Sequence, residues 1–169
     1  MIEVLGIVVH WLHVLAGIVW FGGAVFFNLV LMPSMRSLPP AGQQGLGLAA
    51  LARTNRIFGV AAGTSILMGL LRGTVFGPIQ SWDVLFGSAY GITWLIALVL
   101  TIGIAILGTR MIGLPAERLY HDAAMWQWEG GGPSPAFLST VAGIRRGGMI
   151  VLASFLIIFT LMILMRFGY

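Results

Sequence analysis

The sequence predicts an all-α integral membrane protein, a bundle of four helices, and three observations predict it. Of its 169 residues, 59% are apolar and 8% charged, where a soluble domain carries about 25% charged residues. The mean hydropathy is +0.99. Four apolar stretches, at about 4–32, 57–76, 90–112 and 149–165, match the roughly 20 residues a helix needs to cross a hydrocarbon core about 30 Å thick. Inside lipid every backbone N–H and C=O must be bonded within its own segment, so these stretches are helices. The whole chain, 1–169, reads as one transmembrane domain.

Composition also excludes chemistry. A water-soluble globule and a disordered chain are both ruled out by the hydropathy, and the sequence pI of 10.7 marks no nucleic-acid partner. All nine basic residues are arginine. Without lysine there is no Schiff base, amine nucleophile or ammonium general base. Without cysteine there are no disulfides, no thiolate metal sites and no covalent haem attachment.

The first stretch has no basic residue in Met1-Ile2-Glu3 and is too long for a secretory signal, so it is expected to stay in the mature protein. Pro33, then Arg36, Pro39-Pro40 and Gly42, read as a turn out of the membrane. The second stretch follows Arg53 and Arg56 and closes at Gly77-Pro78. The fourth follows Arg145-Arg146-Gly147-Gly148.

Arginine placement sets the orientation. The first and third connections hold Arg36, Arg53, Arg56, Arg110, Arg118, Arg145 and Arg146, against Arg72 and Arg166 on the other side. That asymmetry predicts cytoplasmic connections and extracytoplasmic termini, in a multi-pass protein of the cell (inner) membrane. The connection 113–144 is expected to carry a short interfacial helix: Pro115 and Glu117 suit its start, Leu119, Ala123 and Trp126 recur at helical spacing, and Gly130-Gly131-Gly132-Pro133 breaks it. Glu117, His121 and Asp122 on that segment read as a solvated surface rather than a metal site.

His10 and His13 are the informative residues. They lie three apart, about 60° around one helix, in the outer half of the first crossing. An ionisable side chain there marks a functional site or is a neutral histidine bonded to a neighbouring helix. Gly6, Gly17, Trp20 and Ala24 share their broad face. The groove left by the small residues serves either close helix packing or a flat macrocycle with an axial histidine. His121 stands a core thickness away and cannot complete the site. Because the two imidazoles project from one side of one helix, one chain cannot hold a haem between them. A sixth ligand would come from Met68, Met162, Met165 or a second subunit, although each methionine also reads as an apolar filler. Arg72 and Arg166 suit a haem propionate and equally suit interface anchoring.

The run His10-Trp11-Leu12-His13-Val14-Leu15-Ala16-Gly17-Ile18-Val19-Trp20-Phe21-Gly22-Gly23, continuing through Phe26 to Pro33, resembles the first helix of two related groups: the membrane domain of copper resistance protein D (CopD) and the HemJ-type protoporphyrinogen oxidases. The stretch from Arg56 through Gly69, and Trp94-Leu95, are similar too. The resemblance implies that His13 occupies the place of the HemJ histidine implicated in binding haem b. That pattern puts a lysine four residues after the third-helix tryptophan, and here the position is Leu98.

The expectation is therefore a membrane-embedded b-type haem protein with a redox role, in electron transfer or in oxidation of a tetrapyrrole or quinone. Its cofactor-binding residues are His13, His10, Gly17, Trp20 and Arg72. The alternative is CopD-like copper binding or transport by His13, His10, Met162 and Met165. A third reading is a non-catalytic accessory subunit of a larger membrane complex. The expected partners are the lipid bilayer, haem or a tetrapyrrole, and a second copy or larger complex.

Overall fold

The computed structural model describes residues 1–128 and 132–168, and among them every regular element is helical. In chain order these are α1 (Ile2–Phe26), α2 (Met32–Met35), α3 (Pro40–Gly73), α4 (Trp82–Gly87), α5 (Ala89–Leu107), α6 (Leu114–His121) and α7 (Pro135–Arg166). Three continuous helical segments are long and apolar enough to cross a membrane: Ile2–Met35, Ala89–His121 and Pro135–Arg166. Only 17%, 22% and 28% of their most apolar windows are buried inside the protein. Large side chains such as Trp11, Ile18, Val99 and Leu156 accordingly face outward, as an apolar solvent permits. The second expected crossing, 57–76, lies mostly within α3, a longer and more polar helix that does not belong to this set.

The helices outrun their apolar stretches, and prolines explain how. Pro33, expected to end the first helix, does not. A π-helical turn at Phe27–Leu31 precedes it, and α2 carries the proline at its start. The second case is the same: a π-helical turn at Gly108–Gly113 precedes α6, which carries Pro115. A proline ring in a regular helix strikes the carbonyl four residues back and lacks the N–H that carbonyl needs; a wide turn just upstream absorbs both. Pro40 and Pro135 instead begin helices. Each follows a residue with ψ of 155°, Pro39 or Ser134, and the Ser134 hydroxyl accepts from Phe137 N–H at 3.2 Å. Pro39-Pro40-Gly42 is thus the start of α3 rather than a turn, and Arg145-Arg146-Gly147-Gly148 lies within α7 rather than before it.

α1 and α3 pack antiparallel, as contacts in descending register show: Gly6 against Phe76 just past the end of α3, His13 against Gly69 and Gly23 against Phe58. α7 closes on α1 through Trp20 and Phe155, edge to face at 5.1 Å, and Phe21 and Phe159 at 4.9 Å. Two of its glycines meet the π-helical turns, Gly147 against Met111 and Gly148 against Asn28. One apolar cluster joins Trp20, Ala61, Ile104, Val151 and Phe155.

A second cluster, at the opposite end from the histidines, joins Met35, Leu119, Tyr120, Phe137 and Ile144. It corrects the expected interfacial helix. The helix from α5 runs on to His121, and Leu119 is 1% exposed, turned into protein rather than headgroups. Trp126 donates its indole N–H to Leu119 O at 2.8 Å. A 3₁₀ turn at Ala123–Trp126 follows, capped by the Asp122 carboxylate on Ala124 N–H. The expected break falls partly outside the described residues, at Gly130 and Gly131.

Candidate functional site

Two cavities lie along the seam between α3 and α5, and Ile66 lines both. The one at the histidine end measures about 420 Å³. His10 and His13 reach it from α1, Ser65, Gly69 and Arg72 from α3, Trp94 and Leu98 from α5, and Met162, Met165 and Arg166 from α7.

Two glycines of α3 create the space. Gly69 faces His13, where an added Cβ would stand 2.9 Å from Cε1 of the imidazole. One turn later Gly73 lies under the Trp94 indole, which a Cβ would strike. A heterocycle from α1 and another from α5 therefore both rest on α3 backbone left bare by glycine.

His13 is half-buried, and its Nδ1 lies 2.8 Å from the carbonyl oxygen of Ser65. A carbonyl only accepts, so chemistry assigns the proton to Nδ1 and leaves Nε2 as an unprotonated acceptor. That arrangement fixes ring and tautomer in the way that ligating histidines are fixed by their outer partners. His10 is exposed. Arg72 is half-buried, with Nη1 donating to Phe76 O at 3.4 Å.

Of the residues singled out from sequence, His10, His13, Arg72, Met162, Met165 and Arg166 thus meet in one cavity. Gly17, Trp20 and Met68 do not line it. Trp20 is buried against α7 and borders the other cavity; a Cβ on Gly17 would meet open space. His121 is exposed at the far end. Among the described residues no group of three or more His, Cys, Asp or Glu side chains is placed to hold a metal, Glu117, His121 and Asp122 included. Sequence reasoning missed Ser65, Gly69 and Gly73. The Gly69–Gly73 spacing, a small residue every fourth position, was the available signal of a close approach.

The donor set suits a b-type haem: one imidazole with Nε2 free, guanidinium groups of Arg72 and Arg166 for carboxylates, and apolar or aromatic walls from Ile66, Trp94 and Leu98. Comparison with family models, curated proteins and solved structures finds no match for this chain.

Proposed function

We propose that this chain is a membrane-embedded b-type haem protein with a redox role, in electron transfer or in oxidation of a tetrapyrrole or quinone, in which His13 would hold the haem iron. The observation that carries the reading is the His13 imidazole, anchored through Nδ1 on Ser65 O with Nε2 left as acceptor, beside a cavity rimmed by Arg72 and Arg166. Bound haem would supply a one-electron iron couple, tuned by its ligand, its burial and the charges near its propionates. His13 binds and orients; Arg72 and Arg166 neutralise carboxylates; Ile66, Trp94 and Leu98 exclude water. Leu98 stands where the resembling oxidases carry lysine, so no ammonium is available there to move a proton, which favours electron transfer over the oxidase reaction itself.

The accompanying topology is a four-helix bundle of the cell inner membrane. In it α3 makes the fourth crossing, the arginine-rich connections face the cytoplasm and both termini face outward. Absorption spectra of detergent-purified protein, expressed with ample haem, test the cofactor. The reading requires a Soret band that survives His121→Ala and disappears in His13→Ala; colourless wild-type protein contradicts it.

A second reading has its own observation. His10, His13, Met162 and Met165 line the same cavity, a nitrogen and thioether set that suits copper as a cargo ion. Stoichiometric copper in colourless protein, lost in Met162→Leu/Met165→Leu, would favour it.

A further inference from the structure

The second cavity, at the tyrosine end of the α3–α5 seam, is the larger, at about 590 Å³, well within the roughly 300–1,000 Å³ of small-molecule sites. Both π-helical turns border it, through Phe27, Asn28 and Leu31 on one side and Gly108, Thr109 and Gly113 on the other. Such turns are frequent at functional sites. Its α3 wall is bare at Gly59 and Gly63, where an added Cβ would meet nothing within 4 Å.

A polar group stands ready inside it. Tyr120 lines the cavity with most of its ring buried, while its hydroxyl oxygen stays accessible and meets no hydrogen-bond partner among the described residues. The ring cannot swing away. It lies flat on Gly47, stacks on Trp126 at 5.7 Å and 19°, and has its own backbone carbonyl held by Gln44 Nε2 at 3.2 Å. A hydroxyl with no protein partner, on a ring held in place at the wall of a mostly apolar cavity, is a donor open to an acceptor that arrives with a ligand.

Charge narrows the ligand. Glu117 is the one charged side chain among the residues lining the cavity, and no arginine lines it. A phosphate or free carboxylate headgroup would face that carboxylate without a cation. We propose that this cavity binds an amphiphile with a neutral, carbonyl-bearing head, which accepts from the Tyr120 hydroxyl, and a hydrocarbon tail lying along Gly59, Gly63 and Phe58. A membrane quinone and a neutral acylglycerol both offer that chemistry. The site is independent of the haem reading, since none of its residues but Ile66 touches the histidine cavity.

The test uses the full chain in dioleoylphosphatidylcholine nanodiscs, titrated with decylbenzoquinone or with a dibrominated monoacylglycerol. Quenching of tryptophan fluorescence is the readout, because Trp20 borders the cavity. Saturable quenching by at least one probe is expected; the arm that saturates identifies the head. Gly63→Leu starts from a Cβ that meets nothing within 4 Å and extends a side chain at the cavity wall, so it should weaken binding at least tenfold while the probe-free protein still unfolds cooperatively. Tyr120→Phe should weaken it about threefold to tenfold, the worth of one hydrogen bond. If neither probe saturates in wild type, or Gly63→Leu binds as wild type does, the proposal is overturned. Haem content is not read in this experiment, so its failure leaves the histidine site untouched.

Discussion

His13 rests against Gly69 on the facing helix, where a methyl group would stand 2.9 Å from Cε1, while its Nδ1 reaches Ser65 O at 2.8 Å. The hydrogen bond and the bare glycine are two halves of one device: the first sets which nitrogen is free, the second lets the ring lie close enough to make the bond. Gly69→Ala is therefore expected to push the imidazole off Ser65 at an overpacking cost of about 1–3 kcal/mol. Haem retained after purification should fall roughly tenfold, since about 1.4 kcal/mol is a factor of ten. Gly17→Ala, on the same helix as His13 but facing open space, should retain wild-type haem content; equal loss in both variants would contradict the pairing.

Arg72 serves as a carboxylate partner in this account, so its removal should depend on the ligand's charge. Arg72→Leu is expected to weaken retention of haem about tenfold, the worth of a charge-assisted hydrogen bond, and to leave the affinity for haem dimethyl ester unchanged. Titration of apoprotein with the two compounds separates the outcomes.

Helix packing makes a stability prediction apart from any cofactor. A Cβ on Gly148 would collide with Asn28 Oδ1, whose amide is already tied to Ala24 O at 2.8 Å, whereas one on Gly143 meets nothing. Gly148→Ala should destabilise the protein by about 1–3 kcal/mol. Gly143→Ala should be neutral or slightly stabilising, because alanine favours helix over glycine by up to about 1 kcal/mol. Thermal unfolding in detergent reads both.

The absence of native cysteine makes the topology directly testable. Ser37 and Ser81 flank α3 and are both exposed. If α3 is the fourth crossing, Ser81→Cys should react with a membrane-impermeant maleimide on intact cells, and Ser37→Cys only after lysis. Labelling of both from outside, or of neither, would contradict the four-crossing bundle.

How far sequence reading reached follows from what each signal measures. Hydropathy located the centres of α1, α5 and α7, because lipid-facing residues must be apolar all round. It failed at the helix ends, where Pro33 and Pro115 read as breaks but the π-helical turns carry the chain past them. It failed also at the start of α3, whose more polar first half packs Gly47 against Tyr120 and carries no continuous apolar run, although the stretch 57–76 lies mostly within the helix. Depth along the helices was enough to group His10, His13, Arg72, Met162, Met165 and Arg166. The partners that hold His13 were not legible, because Ser65 contributes a backbone carbonyl and Gly69 an absence of side chain. Gly17 and Trp20 lie off the histidine cavity for a related reason: a face about 100° wide does not say which neighbour it meets, and Trp20 meets Phe155.

Chemical rescue tests ligation by His13 most directly. The haem content of His13→Gly, measured as the pyridine haemochromogen, should be negligible without added base, and free imidazole should restore it together with the Soret band. Wild-type haem content in His13→Gly without imidazole would contradict the assignment.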